Sequence, residues 1–338
     1  MENRLKKQLA EIKKRAMWLR RRGEARTGEH PLEEVGEQIV GDVVDTGAVT
    51  RGADFDKMRT VRRSWPWRGR AQREMSTDPL AAFATGEPRP LASAAPGVER
   101  TLDGHSYYLI RPTGGEIDTD EPAEARAFAR VTRWPDDTVV SVARGRRPWQ
   151  NPAQHTMDIA LDPTRVLFLD IETAGLSANT YLFLCGLMFL EHGRFVVEQP
   201  FARNYGEEAG VLRHVAEVMK HFDIVVTYNG ATFDLPFIRT RMARHRVSPA
   251  NPPGSVDLLH AARRVFRDVL PDRRLVTVER HLRGMERKDD IPSRLIPQAW
   301  HDFVRTGDAR AMRNVLYHNR MDLFTMAVIL NRLSERPV

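Results

Sequence analysis

Two carboxylates stand two residues apart at the end of an apolar run. Asp170 and Glu172 close the segment VLFLDIE, whose other side chains are all apolar. Side chains two apart on a β-strand point to the same face, so the two acids would lie together. Neighbouring carboxylates at a buried strand end repel each other and lose hydration, and a divalent cation relieves both costs. Taken alone, the pair is better explained as two solvated side chains where the strand leaves the core.

A third acid follows a second strand. Asp234 lies in YNGATFDLPF, after a strand and an Asn-Gly turn, and falls in the first turn of a predicted helix. An acidic side chain near a helix N-terminus is mildly stabilising. By itself this explanation is preferred to a catalytic one.

The C-terminal helical pattern carries a histidine one turn before an aspartate. In YHNRMD, His318 precedes Asp322 by four residues and shares its helix face. Tyr317 precedes it by five and points roughly 140° away on an ideal helix. A histidine beside an apolar stripe is more often structural than catalytic, so this signal is also weak alone.

The elements that must position these side chains follow an α/β order. From about residue 165 the pattern predicts a buried strand (VLFLDIE), a hairpin around Gly193 (TYLFLCGLMFLEHG and RFVVEQPFA), a helix (EEAGVLRHVAEVMKHF), a strand (DIVVTYNG) and a helix from about Thr232. Further helices are predicted in DLLHAARRVFRDVL, in VTVERHLRG and from about Ala309, with Asp308 as N-cap. This order is typical of a mixed sheet flanked by helices.

The preceding part of the chain divides into three predicted segments. Residues 1–22 are predicted to form a basic amphipathic helix with nine Lys or Arg and two Glu. Such a helix could bind nucleic acid or self-associate, or it could simply pack on the rest of the protein through its apolar stripe. Residues 23–100 are a low-order segment rich in Pro, Gly and charge, in which RTVRRSWPWRGR mixes Arg with Trp65 and Trp67. Residues 101–160 are a small lead-in subdomain containing strands, and residues 161–335 are the main domain.

Composition narrows the class of protein. The 338 residues carry a formal net charge of +7, which suits a polyanionic partner such as nucleic acid. The single cysteine, Cys185, cannot form an internal disulfide and indicates a reducing compartment, so we expect a cytoplasmic protein. The longest apolar run is too short to span a membrane, and the basic N-terminus lacks the apolar core of a signal peptide.

The three acidic segments together resemble a known set of motifs. DIETAGL, YNGATFD and HNRMD, in that order, resemble the exonuclease motifs of the DnaQ-like (DEDD) superfamily, whose fold is ribonuclease H-like. The sequence is most similar to the YprB-type ribonuclease H-like domain, through VLFLDIETAGLS, YLFLCGLM, VVTYNGATFDLPFIRTR, VDLLHAARRVF, KDDIPSRLIPQAWHDFVRTGD and LYHNRMDLFTM. The resemblance covers about residues 160–332 and implies a ribonuclease H-like mixed central β-sheet flanked by helices.

The resemblance assigns roles to particular side chains. Asp170, Glu172, Asp234 and Asp322 match the four metal-binding carboxylates, and His318 stands where relatives keep a Tyr or His that orients the attacking water. The sequence departs from both common patterns. Histidine-type relatives place His five residues before the last Asp and tyrosine-type relatives place Tyr four before it, whereas this chain has His at four and Tyr at five. Helical geometry favours His318 over Tyr317.

Four further positions match residues that contact the substrate strand in relatives. They are Thr173 and Leu176 after the first motif, and Asn229 and Phe233 in the second. Leu176 is equally explained by loop packing, and Asn229 by a turn. Asp257 in VDLLH resembles a residue of a late strand and is left outside the ligand set.

These residues imply a hydrolytic mechanism. Two Mg²⁺ or Mn²⁺ ions roughly 3.5–4 Å apart can place a water nucleophile and relieve charge at phosphorus, with Asp170 bridging them and His318 accepting the water proton. The expected function is a metal-dependent 3′–5′ exonuclease acting on a single-stranded 3′ end of DNA or RNA, with the direction implied by the resemblance. The alternatives are a structure-specific endonuclease on the same fold and a catalytically inactive nucleic-acid-binding adaptor.

Overall fold

The computed structural model describes residues 78–112, 120–131, 140–142, 154–155, 161–249, 254–284, 286–287 and 290–335. The predicted helix over residues 1–22, most of the low-order segment and the Arg/Trp stretch around Trp65 and Trp67 lie outside these ranges. The division into 1–22, 23–100, 101–160 and 161–335 therefore stays a prediction.

Within the described ranges, nine strands form one mixed sheet in the order β1-β2-β7-β6-β5-β8-β9-β3-β4. Strands β5 to β7 make an antiparallel meander, and β8 and β9 run parallel to β5 on its other side. The other seven strands form the main part of the sheet, and the short strands β3 and β4 extend it at the β9 edge. The strands are β1 Val98–Leu102, β2 His105–Ile110, β3 Val140–Val142, β4 Gln154–His155, β5 Val166–Thr173, β6 Leu182–Glu191, β7 Arg194–Phe201, β8 Ile224–Thr227 and β9 Gly254–Asp257.

Helices cover the sheet. They are α1 Leu91–Ala94, α2 Ala123–Arg126, α3 Glu208–Met219, α4 Asp234–Arg244, α5 Leu258–Val265, α6 Leu275–Arg283, α7 Ile296–Thr306 and α8 Arg310–Ser334, with 3₁₀ turns at Ala81–Phe83, Ala127–Arg130, Pro163–Arg165 and Ser293–Leu295. The predicted order of three strands, helix, strand and helix is confirmed. No helix in the described part of the chain is long and apolar enough to cross a membrane.

The last helix begins differently from the expectation. Asp308 was predicted as its N-cap, but α8 begins at Arg310 with Ala309 in the cap position and no side-chain cap hydrogen bond. Asp308 lies one residue earlier, where its Oδ1 accepts the backbone N–H of Arg310 at 3.2 Å. The carboxylate still satisfies an orphan donor of the first turn, so it fills the same physical need from a shifted position.

Alternation along β5 explains where the acidic side chains point. Val166 and Phe168 belong to one buried apolar cluster and Leu167 and Leu169 to another, on the opposite face of the strand. Asp170 and Glu172 continue the face of Val166 and Phe168, because side chains two apart share a face. Both faces of β5 therefore pack against apolar clusters in the residues immediately before Asp170 and Glu172.

Candidate active site

Three elements bring the predicted acids to the carboxyl end of β5. Asp170 and Glu172 lie on β5 itself, and β8 runs parallel beside it, so the turn after β8 places the start of α4 near the same sheet edge. Asp234 is the first residue of α4, and its buried carboxylate accepts a hydrogen bond from the backbone N–H of Ile171, between the two β5 acids. Asp322 comes from α8, which packs along β5.

The four acids, which we call the carboxylate cluster, are close enough to disfavour one another's ionised forms. Burial raises the pKa of Asp170, and the charges of Asp322, Glu172 and Asp234 raise it further. Burial, with Asp322 and Asp234, raises the pKa of Glu172 to about 8 despite His318, and burial raises that of Asp234 to about 7. The sequence-predicted acids thus converge on one region of concentrated negative charge.

His318 lies inside this field. Its Nδ1 is 2.7 Å from Asp290 Oδ1, and its Nε2 is 3.6 Å from Asp322 Oδ2. Burial acts to lower the pKa of His318, but Asp322, Asp290 and Glu172 together raise it to about 9. The neighbouring negative charge therefore favours the protonated imidazole at neutral pH until that charge is offset.

Tyr317 has different surroundings from its neighbour. Its half-buried ring packs against the apolar cluster that contains Phe324, and the Arg320 guanidinium carbon lies 5.8 Å from the ring centroid. Of the two candidates for orienting water, His318 is the one in contact with Asp322.

Arg287 occupies one side of Asp322. Its Nη2 is 2.6 Å from Asp322 Oδ1, and its Nε is 2.5 Å from Glu279 Oε2. The guanidinium is almost completely buried, with Nη1 3.5 Å from Asp290 Oδ2. Arg287 therefore shares its charge between Asp322 and two acids outside the predicted ligand set.

The donor chemistry of the cluster fits a hard divalent cation. Carboxylate oxygens are the ligands that Mg²⁺ and Mn²⁺ prefer, and four of them in one place leave an excess of negative charge. Their positions are less suitable: no group of three or more His, Cys, Asp or Glu side chains among the described residues is arranged to hold a metal ion. Mutual repulsion and the Arg287 ion pair both act to keep uncompensated carboxylates apart.

The residues predicted to contact substrate lie at the end of β5, in the loop after it, and in the turn between β8 and α4. Leu176, in the loop between β5 and β6, is 90% exposed. Phe233 is half-buried immediately before Asp234 and its ring centroid lies 5.6 Å from that of Phe237. Thr173 is buried and its hydroxyl donates to the Gly175 carbonyl at 2.8 Å, so this side chain shapes the loop.

Asn229 and Asp257 together build the turn before α4. Asn229 has a φ of 67°, in the left-handed region that Asn tolerates better than most residues. Its N–H donates to Asp257 Oδ1 at 2.8 Å, and Ala231 N–H donates to Oδ2 at 3.1 Å. Asp257 also accepts from Leu259 N–H at the start of α5. Asp257 therefore lies at the end of β9 and supports the turn that presents Asp234.

Sequence reasoning missed four polar residues beside the cluster. They are Gln199 on β7, Arg287 and Asp290 in the segment before α7, and Asn319 on α8. Two signals were available: Gln199 interrupts an apolar strand, and Asn319 lies within the motif between His318 and Asp322.

Comparison with known proteins places this fold in a class. Residues 167–334 match the family model described as RNase_H superfamily. The predicted ribonuclease H-like mixed sheet flanked by helices is thereby confirmed.

Two individual proteins are similar to parts of the chain. "Uncharacterized protein YprB" of Bacillus subtilis (strain 168) is 30% identical over 194 residues, which cover 55% of this chain and 46% of that protein. The family B DNA polymerase of the hyperthermophilic archaeon Pyrobaculum calidifontis aligns at 20% identity and a TM-score of 0.42, covering 51% of this chain and 25% of the polymerase chain. The chain thus spans less than half of each, and a TM-score this low carries no argument about function.

Proposed function

We propose that this chain is a metal-dependent nuclease that removes nucleotides from the 3′ end of a nucleic-acid strand. The observation that carries the proposal is the convergence of four carboxylates from β5, α4 and α8, with burial and mutual repulsion raising the pKa of Asp170 and Glu172. A surplus of like charge in a largely enclosed place is costly to keep in a folded protein, so it indicates a function that uses the charge. The match of residues 167–334 to the RNase_H superfamily model supports hydrolysis of phosphodiester bonds.

Asp170, Glu172, Asp234 and Asp322 are the residues that would hold two Mg²⁺ or Mn²⁺ ions. Such ions, when bound, supply charge relief at phosphorus and a water of lowered pKa. The 3′–5′ direction is part of the proposal because the motif order resembles that of 3′–5′ exonucleases.

His318 is proposed to accept the proton of the attacking water. Its Nδ1 is held by Asp290 at 2.7 Å, which leaves Nε2, on the side of Asp322, as the nitrogen that would meet the water. With the charges of Glu172 and Asp322 offset, two of the causes of its raised pKa are removed, which makes deprotonation of Nε2 easier while Asp290 still holds Nδ1. Asp290 then fixes the ring and its tautomer.

Leu176, Phe233, Thr173 and Asn229 are proposed to form the entrance for the substrate strand. Leu176 presents an exposed apolar side chain at the end of β5, and Phe233 lies next to Asp234. Apolar and aromatic side chains can pack on unstacked bases without selecting a sequence. Asn229 and Thr173 act mainly by fixing the two loops that carry these contacts.

A nucleic-acid-binding module without nuclease activity is the second candidate. The observation in its favour is the buried ion pair between Arg287 and Asp322, which engages one oxygen of a proposed metal ligand. Loss of cleavage with retained binding is the expected property of this candidate.

The test uses end-labelled single-stranded DNA and RNA of matched sequence, incubated with Mg²⁺ or Mn²⁺. Wild type should shorten the 3′ end stepwise, and Asp170→Asn should not. Asp103→Asn, at an exposed turn residue with a φ of 49°, is the matched control and should behave as wild type. Internal cuts would replace the exonuclease by an endonuclease, and binding without cleavage under either metal would leave the binding module.

A further inference from the structure

Asn319 joins Asp170 to a buried side chain on a third element. Its side chain is fully buried on α8, and its Nδ2 donates to Asp170 Oδ2 at 2.8 Å. On the other side, Asn319 Oδ1 accepts a hydrogen bond from Gln199 Nε2 on β7 at 2.8 Å. One amide therefore connects β5, α8 and β7 at the cluster.

Neighbouring acceptors fix the orientation of both amides. Gln199 Nε2 also donates to the Leu316 carbonyl at 2.9 Å, so the nitrogen of Gln199 has to face α8. Only the oxygen of Asn319 can accept from that nitrogen, which directs the Asn319 nitrogen to Asp170. This orientation leaves Gln199 Oε1 buried without a hydrogen-bond partner in the described structure.

Gly186 provides the space for this contact. It lies directly opposite Asp170 in the pairing of β5 with β6. A Cβ at Gly186 would lie 2.3 Å from Asn319 Oδ1, well inside van der Waals distance. The β6 backbone thus approaches α8 closely enough for the amide to reach the carboxylate only because residue 186 has no side chain.

We propose that Asn319 is a positioning residue that fixes the Asp170 carboxylate for divalent-ion binding, with Gln199 and Gly186 as its supports. The amide engages Oδ2 and leaves Oδ1 as the oxygen that would be free to meet an ion. Because an amide is uncharged, it restrains Asp170 without cancelling the negative charge that attracts a cation. Arg287 differs in this respect, since its contact with Asp322 neutralises the carboxylate that it holds. The proposal rests on the proposed function.

The experiment measures Mn²⁺ binding to the full chain by isothermal titration calorimetry, without nucleic acid. Asn319→Leu keeps the volume but removes the donor, and should weaken Mn²⁺ binding by about 10–100-fold, the usual effect of losing a group that orients a ligand. Asn331→Leu is the matched control, because Asn331 is also a buried asparagine on α8 but hydrogen-bonds to Glu335. It should bind Mn²⁺ as wild type does.

Two more variants separate positioning from simple stability. Gly186→Ala retains every polar group but displaces the Asn319 amide, and Gln199→Met frees that amide to rotate; each should weaken Mn²⁺ binding by about tenfold. If Asn319→Leu does not fold, these two variants decide the question. Thermal unfolding is measured on every variant.

The outcomes distinguish this inference from the proposed function. Wild-type affinity in folded Asn319→Leu, or in folded Gly186→Ala and Gln199→Met, would make the network purely structural and overturn the inference, while wild-type cleavage would leave the nuclease proposal standing. A wild type that neither binds Mn²⁺ nor cleaves would overturn both proposals.

Discussion

Two buried acidic regions of this protein are compensated in opposite ways. Glu208, at the start of α3, is fully buried and accepts from Arg241 Nε at 2.6 Å, from His245 Nε2 at 2.8 Å and from the backbone N–H of Leu182 at 2.8 Å. We call these side chains the Glu208 network. The carboxylate cluster instead combines four acids with two neighbouring cationic side chains, Arg287 and His318.

The contrast separates a buried charge that is balanced within the fold from one that is not. A buried ion pair is costly to break, because removing one partner leaves the other desolvated and unpaired. The Glu208 network also holds the segment that carries Leu176, since Arg241 donates to the Ala178 carbonyl at 3.3 Å. The four acids of the carboxylate cluster outnumber its two cationic neighbours. The raised pKa values of Asp170 and Glu172 show that ionising these acids is unfavourable in the folded protein.

The largest expected effect comes from neutralising one acid of the cluster. Asp170→Asn should lower the cleavage rate by about 10³-fold or more, because metal-assisted charge relief contributes several kcal/mol. It should not lower the free energy of unfolding, since it removes a like-charge repulsion and a desolvated charge. Rate assays and urea unfolding check the two parts. A large loss of stability would place Asp170 in the same class as Glu208.

Removing the arginine of the Glu208 network should have the opposite effect, which is a loss of stability. Arg241→Met leaves Glu208 buried with a single side-chain partner and should lower the free energy of unfolding by about 3–5 kcal/mol. Urea unfolding measures this, with Arg274→Met, in an exposed ion pair with Asp272, as a control that should leave stability unchanged. An Arg241→Met protein as stable as the control would contradict the compensation argument.

His318 tests the contrast further because it lies between Asp322 of the cluster and Asp290. His318→Gln should lower kcat by about 10²-fold with little change in KM, as expected for loss of a general base. Tyr317→Phe, at the neighbouring position, should leave both constants unchanged. Steady-state kinetics on a labelled strand checks the pair. The reverse result would assign the role to Tyr317.

The smallest expected effect is a difference in the sign of pH dependence, measured by urea unfolding in EDTA. Burial raises the pKa of Glu172 to about 8, so its contribution to stability is present below the ordinary glutamate value and is lost as the pH rises towards 8. Glu172→Gln should reduce the fall in the free energy of unfolding over this pH range.

Glu198 provides the contrast for the same measurement. Burial opposes its ionisation, but hydrogen bonds from His214 and Arg111 outweigh burial and lower the pKa of Glu198. Its contribution is therefore present above the ordinary glutamate value and is lost as the pH falls below it. Glu198→Gln should reduce the loss of stability in acid and leave the range up to pH 8 unchanged. If Glu172→Gln and Glu198→Gln change the stability over the same pH range, Glu172 and Glu198 do not differ in the sign of their contributions.

Much of the fold was predictable because it depends on local patterns. The apolar run before Asp170 predicted β5, the Gly193 turn predicted the β6–β7 hairpin, and the amphipathic pattern predicted α3. Strand β9 was missed by the pattern, because a four-residue strand ending at Asp257 is too short to show a periodicity. The cap of α8 was misplaced because several residues near a helix start can satisfy the same N–H groups.

The amino-acid sequence by itself determined the four acids, their strand and helix positions, and the face that His318 shares with Asp322, because these follow from spacing along single elements. The tertiary structure alone decided their partners. Asn319 meets Asp170 across 149 residues and Gln199 across 120, and Arg287 meets Asp322 across 35. Hydrogen bonds and ion pairs depend on distances of a few ångströms between separate elements, and packing fixes those distances, whereas the period of a strand or helix does not.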